Sequence, residues 1–420
     1  MRQTLFYWPH ETAGFPWFGA VSWASLVLLL IAVIQLAFAK NAQVRSAVIQ
    51  GNALTWGVAF VAIAFLLPRI EFRIEDTPIG LPIRGYGVFL MVGVIAGSYV
   101  ALKRCEARGI AKEAFLSLAT WTVAAGIIGA RLFYIVQYWS ELPGQTLSQK
   151  LWTVLQITEG GLVVYGSVIG GLIVIVVWTI RYKLPVLVVA DAVTPAFFLG
   201  LMFGRLGCLM NGCCYGGVCE MPLPTVRFPS GSAVYMEQLE SGRMLGLKTD
   251  KGVVTSVSPS SWAQNNGVQP QAAFGGVQAR LVDGPTPNNP LAYPKFEAVV
   301  NLDGKIRVIP SSELPERAIP VHPSQIYASI GGLILFLWTM SLSSLLPKTG
   351  LLFSLGLIAY GFVRILEELI RVDEAGQFGT SLSIATWISL AGILGGIVLL
   401  IYLRFQPASN KQGLTSGGLN

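Results

Sequence analysis

Gly204-Arg205-Leu206-Gly207-Cys208-Leu209-Met210-Asn211-Gly212-Cys213-Cys214-Tyr215-Gly216 closes an apolar run, Phe197 to Phe203, with the composition of the end of a membrane helix. A guanidinium and a carboxamide at membrane depth are costly, so they are rare there without a partner or a task. The four glycines of the stretch let the backbone pack or bend tightly. A lone arginine at a helix end is more often a snorkelling side chain than a ligand. Here Arg205 comes with Asn211, a cysteine cluster and Gly216, and a second arginine, Arg364, lies deep in a later apolar run. Together they point to a functional site inside a membrane protein.

Composition supports the membrane setting. Of 420 residues, 53% are hydrophobic and only 12% charged, against roughly 25% charged in soluble domains; the mean hydropathy is +0.61. The chain reads as an all-α polytopic protein buried largely in lipid. Its net charge of +7 resides mostly in short loops, so topology accounts for it and no nucleic-acid partner is implied. Five cysteines are too few for a disulfide scaffold. No basic segment leading to a small-residue cleavage site precedes the first apolar run, which is therefore expected to be a retained helix.

Nine spans are expected, near 20–39, 53–68, 86–102, 116–138, 162–180, 186–207, 325–346, 350–369 and 383–404. With the N-terminus outside, the inner loops carry Lys40/Arg45, Lys103/Arg104/Arg108/Lys112, Arg181/Lys183, Lys348 and Arg404/Lys411. Acids gather on the other side, at Glu71/Glu75/Asp76, Glu141, the 217–320 segment and Asp373/Glu374. That bias satisfies the positive-inside rule. It puts the opening stretch at the outer face, the 217–320 insert outside and the C-terminus in the cytoplasm. The division expected is 1–81 as an N-terminal extension with two helices, 82–216 and 321–405 as two parts of one core, 217–320 as an inserted domain, and 406–420 as a polar tail.

Within the insert, Leu245-Gly246-Leu247, the Val253/Val254/Val257 alternation, Pro259 and Gly267 signal a hairpin followed by a short helix. This resembles a PDZ domain, with Val282-Asp283-Gly284 as a later turn, although Gln271-Ala272 replaces the usual Gly-Asp after the helix. A PDZ domain would take an extended peptide end by strand addition; an insert that only caps the outer face is the plainer alternative.

Further polar positions lie at membrane depth: Arg84-Gly85-Tyr86-Gly87, Gly129-Ala130-Arg131, Glu159-Gly160-Gly161, Tyr165-Gly166-Ser167, Asp191 with Pro195, and His322-Pro323-Ser324-Gln325-Ile326-Tyr327. The clearest by spacing are Tyr360, Arg364, Glu368 and Arg371, at i, i+4, i+8 and i+11, which share one helical face. Inside lipid such a face should line a polar cavity. Arg364 and Glu368 could also form a structural ion pair.

Taken together these motifs resemble the prolipoprotein diacylglyceryl transferase family, over about Pro82 to Leu403 and interrupted by the insert. The landmarks come in family order: Tyr-Gly after Ile-Arg, Gly-x-Arg, Glu-Gly-Gly, Gly-Arg-x-Gly-x-x-x-Asn-Gly, His-Pro-Ser-Gln-x-Tyr, and Tyr-Gly-x-x-Arg-x-x-x-Glu. The resemblance implies a seven-helix core preceded by two extra helices, in the bacterial cytoplasmic membrane. It implies transfer of the sn-1,2-diacylglyceryl group of phosphatidylglycerol to a cysteine thiol in a prolipoprotein signal peptide, without cofactor or metal. Arg205 and Arg364 match the family's two arginines that hold the lipid head group and stabilise charge on the departing phosphate. Arg131, Gly216, His322, Ser324 and Gln325 would complete the lipid site, and Asn211 belongs to the signature. A thiol of pKa ~8.5 needs help to become a thiolate; Tyr86, Tyr165, Tyr360 and Glu368 are the candidates.

The chain departs from the family pattern at four places. Tyr165 stands where many members have histidine, Cys208 replaces Asn, Cys213 replaces an acid, and Ala328 often is acidic elsewhere. For Cys208, Cys213, Cys214 and Cys219 three readings stay open: a disulfide from Cys208 or Cys219 to one of the Cys213/Cys214 pair, a working thiolate, or metal ligation, the last disfavoured by the lack of a nearby histidine. Rival functions are a catalytically altered relative that binds lipid or signal peptides, and a thiol–disulfide membrane enzyme, which lacks a Cys-x-x-Cys motif. A transporter would be expected to show an inverted repeat.

Overall fold

A computed structural model of the chain describes residues 3–12, 15–16, 28–33, 57, 71–139, 163–219, 224–371, 379–380 and 382–406. Of the first two expected spans only the helical 28–33 and residue 57 are among them; Glu159-Gly160-Gly161, residues 373–374 and 407–420 lie outside. The described residues fall into two compact units. One draws on Met1–Val88, Met210–Cys213 and Val218–Val321, the other on Phe89–Leu209, Cys214–Gly217 and His322–Asn420.

The long helices are α1 (Gly85–Glu106), α2 (Lys112–Gln137), α3 (Val164–Arg181), α4 (Val186–Asn211), α7 (Ser324–Leu342), α8 (Leu351–Glu368) and α9 (Ile384–Phe405). Two short ones, α5 (Ala233–Glu240) and α6 (Trp262–Asn265), belong to the insert. Among the described residues five helices, α1, α2, α4, α7 and α9, are long and apolar enough to cross a membrane. Helix α8 is set apart by Arg364, Glu367 and Glu368 near its end. This is a multi-pass membrane protein.

Without water between them, membrane helices gain from close van der Waals packing over small residues. Helix α4 is packed that way on several sides. A Cβ added at Gly97 of α1 would come 3.1 Å from the Ala196 carbonyl oxygen, at Gly332 of α7 3.1 Å from Met202 N, and at Gly356 of α8 2.7 Å from Thr194 Cγ2. Ser329 of α7 donates to the Met202 carbonyl at 3.1 Å. Helices α2 and α3 meet through Gly129, Gly166 and Gly170, each with the other helix's backbone where a side chain would be.

Pro195 sits inside α4 and, lacking an N–H, leaves the carbonyl of Asp191 without its helical donor. Arg104 of α1 supplies the donor: Nη2 reaches the Asp191 carbonyl at 3.1 Å and Nε the Ala192 carbonyl at 3.0 Å. The Asp191 carboxylate turns to α8, accepting from Gly350 N at 2.7 Å and Phe353 N at 2.8 Å. Helix α8 has no capping side chain of its own, because its N-cap is Gly350; Asp191 caps it from another helix.

The other unit is mainly β. Strand β1 (Thr4–Pro9) pairs antiparallel with β5 (Thr77–Arg84), and β4 (Phe72–Ile74) pairs on the other edge of β5. Glu75 and Asp76, both at positive φ, make the two-residue hairpin between β4 and β5. Residues 81 and 82, where the N-terminal extension was expected to meet the core, both lie in β5. Strands β2 (Glu11–Thr12) and β3 (Phe15–Pro16) form a small hairpin. In the insert, β6 (Leu247–Asp250) and β7 (Val253–Val257) form a hairpin around Lys251-Gly252, and α6 follows. Then comes a sheet in the order β10 (Lys305–Ile309), β9 (Lys295–Leu302), β8 (Phe274–Asp283). Ala298, Val300 and Leu302 alternate inward along β9. Gln238 of α5 is fully buried and pairs with the backbone of Ile319 as both donor and acceptor.

Candidate active site

Helix α8 carries its polar residues to one place. Arg364 Nη1 lies 2.7 Å from Glu368 Oε2 and 3.8 Å from Glu367 Oε2. Arg205, projected from α4, approaches the same Glu367 oxygen at 3.9 Å. Arg371 Nη1 is 4.0 Å from Glu368 Oε2. The side chains of Arg205, Arg364, Glu367 and Glu368 are between 7% and 14% exposed. Arg364 Nη1 and Glu368 Oε2, though close, are not aligned as a hydrogen bond, and neither atom has another hydrogen-bond partner. With both carboxylates ionised, the three arginines leave one positive charge in excess. In a site shielded from water that excess and the unspent donors favour an anion able to accept several hydrogen bonds.

Tyr360 stands one turn before Arg364, its ring edge-on to Phe197 (centroids 5.9 Å apart) and tilted against Phe198. Beside the charges a cavity of about 170 Å³ opens between α7 and α8, lined by Ser324, Tyr327, Val363, Leu366, Glu367 and Ile370. Its wall is apolar apart from Glu367 and two hydroxyls, which suits an acyl or glyceryl segment attached to the anion.

The chain after α4 is clamped onto α7 and the end of α8. Gly216 N donates to the His322 carbonyl at 3.1 Å, and Gly217 N donates to the Ile370 carbonyl at 3.1 Å. His322 N returns a bond to the Gly217 carbonyl, and Ser324 Oγ donates to the Cys214 carbonyl at 2.6 Å. A Cβ at Gly216 would sit 2.6 Å from His322 Cβ, so this approach requires glycine. Gly216, His322 and Ser324 are thus brought together as the clamp of the signature loop.

The remaining expected residues are placed singly. Gln325 is fully buried in α7, and Arg131 is buried on α2 with its guanidinium 5.3 Å from the Tyr134 ring centre. Tyr86 is the second residue of α1, Asn211 the last of α4, and Tyr165 lies in the first turn of α3. The sulfurs of Cys208, Cys213 and Cys214 lie within 4.8 Å of one another. The sequence reading passed over Glu367, the carboxylate that both Arg205 and Arg364 approach. Its signal was available: it lies three residues after Arg364, a helical-neighbour spacing. Tyr327, quoted in a motif without a role, lines the cavity.

Fold and site together define a multi-pass membrane protein in which two buried arginines approach one glutamate beside an apolar cavity. A model of the prolipoprotein diacylglyceryl transferase family matches residues 77–402. A phosphatidylglycerol–prolipoprotein diacylglyceryl transferase of Rhodopirellula baltica is 37% identical over 462 aligned positions, covering 100% of this chain and 92% of that protein. Transferases of that name from Clostridium perfringens (25% identical, 76% of this chain, 91% of the relative) and Clostridium tetani (26%, 78% and 96%) are also similar. The chain belongs to the prolipoprotein diacylglyceryl transferase family.

Proposed function

We propose that this protein moves the sn-1,2-diacylglyceryl group of phosphatidylglycerol onto the cysteine thiol of prolipoprotein signal peptides, the first step of lipoprotein maturation in the bacterial inner membrane. The observation that carries the reading is the convergence of Arg205 and Arg364 on Glu367, with hydrogen-bond capacity unspent, beside an apolar cavity of about 170 Å³. The sulfur forms a bond to the glyceryl carbon that bears the phosphate, and the C–O bond to phosphate breaks. Glycerol phosphate leaves with the electron pair, and the thiol proton passes to a buried base. Arg205 and Arg364 stabilise charge on the departing phosphate, where fixed donors in a dry site act most strongly.

The base is sought among Tyr86, Tyr165, Tyr360 and Glu368, joined now by Glu367. Arg131, Gln325 and the Gly216–His322–Ser324 clamp complete the lipid site, with Asn211 at the end of α4. Seven spans, α1–α4 and α7–α9, form the transferase core, with the N-terminus and insert outside and the C-terminus in the cytoplasm, as the loop charges require. The β6–β7 hairpin and α6 support a PDZ-like insert whose ligand is an extended peptide end.

Protein in bilayers with phosphatidylglycerol and a lipobox peptide should yield a diacylglyceryl adduct on the peptide cysteine, read by mass spectrometry. No adduct from well-folded wild type would favour the lipid- or peptide-binding relative. An adduct indifferent to Arg205→Ala would overturn the assigned site.

A further inference from the structure

Val363, Leu366, Glu367 and Ile370 line one wall of the cavity between α7 and α8. Their spacing of i, i+3, i+4 and i+7 puts them on one helical face. Three of the four are aliphatic, and the fourth is a carboxylate only 10% exposed. Its neighbour Glu368 turns elsewhere, to Arg364 and Arg371. Arg205 from α4 and Arg364 from α8 both approach Oε2 of Glu367, at 3.9 and 3.8 Å, which is too far for hydrogen bonds.

The other oxygen, Oε1, faces α7. A Cβ added at Gly331 would lie 3.5 Å from Oε1 and 3.1 Å from Val363 Cγ1, so the bare backbone there keeps the approach to the carboxylate open. Among the described residues Glu367 accepts no hydrogen bond. Of the two hydroxyls that α7 brings to the cavity, that of Ser324 already donates to the Cys214 carbonyl; the second is that of Tyr327. A carboxylate buried without donors is unfavourable in a dry site. The arrangement therefore suits a ligand that brings donors of its own.

We propose that Glu367 selects the lipid donor by its head group, accepting hydrogen bonds from hydroxyls carried beyond the phosphate. The inference rests on the transferase reading above and names the part of the donor that this wall reads. With the phosphate held by Arg205 and Arg364, the group attached to it comes within reach of the carboxylate that both arginines approach. A second anion there would be repelled, and a cationic head would meet three arginines against two carboxylates. An aliphatic head would leave Glu367 without a donor, whereas a glycerol head brings two hydroxyls to it. The cavity of about 170 Å³ is several times the ~30 Å³ share of a water molecule, which leaves room for such a head.

The test gives the full-length protein, in bilayers with a lipobox peptide, either phosphatidylglycerol or phosphatidylethanol. The second lipid has the same phosphate charge and no head-group hydroxyl. Both would donate the same diacylglyceryl group, so the adduct read by mass spectrometry is identical. Wild type should favour phosphatidylglycerol by about tenfold or more in kcat/KM, because a buried acceptor is left unpaired by the other lipid. Glu367→Ala should cut that preference below about threefold, and Glu367→Gln, which accepts a hydrogen bond without the charge, should fall between. The rise in thermal midpoint that each lipid produces reads the same preference without turnover, so a folded but slow variant still reports it. Equal rates from the two lipids in an active wild type would overturn the head-group reading alone. So would a Glu367→Ala protein that loses rate equally with both and keeps the wild-type preference. A wild type that forms no adduct from phosphatidylglycerol would overturn the transferase reading and this inference with it.

Discussion

At its first turn α8 receives the carboxylate of Asp191, and in its last turns it presents Arg364, Glu367 and Glu368. Both ends bury charge on one helix, but the charges are satisfied differently. At the start, Asp191 accepts two backbone N–H groups, and Arg104 donates to the Ala192 carbonyl and to the Asp191 carbonyl that Pro195 leaves without its helical donor. Every one of these contacts is a directed hydrogen bond to a fixed main-chain atom. At the far end the charges face one another at 2.7 to 4.0 Å without hydrogen-bond alignment. Burial of charge alone does not distinguish structure from function. What distinguishes them is whether the hydrogen-bonding capacity is spent inside the protein or kept for a ligand.

The sharpest way to break this contrast is at the open end. Arg364→Ala should lower the rate of adduct formation by about 10²–10³-fold, and Arg364→Lys should recover only a small part, because an ammonium cannot offer the planar fork. A lysine variant at wild-type rate would mean that only net charge matters there. Next in size, Glu367→Gln should loosen both arginines and cost roughly tenfold in kcat, about 1.4 kcal/mol of barrier, with the protein still folded.

At the closed end the effect should fall on stability instead. Asp191→Ala leaves two buried N–H groups unsatisfied and should destabilise the protein by about 1–3 kcal/mol for each group. It should lower the thermal midpoint, while molecules that remain folded keep most of their turnover. Loss of turnover without loss of stability would erase the distinction between the two ends. Smallest of all, Ser324→Ala removes the bond to the Cys214 carbonyl and should cost about 1 kcal/mol, seen as a slight fall in midpoint together with a modest rise in the KM for phosphatidylglycerol, because Ser324 also lines the cavity.

Much of this was legible in the chain itself. The five helices long and apolar enough to cross a membrane among the described residues lie where apolar runs are bounded by charge, because length and hydropathy are local properties. The face bearing Tyr360, Arg364 and Glu368 follows from 3.6-residue periodicity. The hairpin at Lys251-Gly252 also follows local rules, since both central residues take positive φ. The pairing of β1 with β5 was not legible: the two strands are separated by about seventy residues, and nothing local in residues 4–9 specifies a distant partner. Asp191 was noticed as an intramembrane acid, but its role as the cap of α8 depends on a helix 159 residues away.

The sequence by itself determined the membrane setting, the apolar helices and the family, because hydropathy, period and motif spacing are written along the chain. Only the tertiary structure decided that Glu367 is what both arginines approach and that Asp191 starts α8. Each of these depends on which side chain meets which backbone atom across space, and the same residue type is structural in one such meeting and a ligand in another.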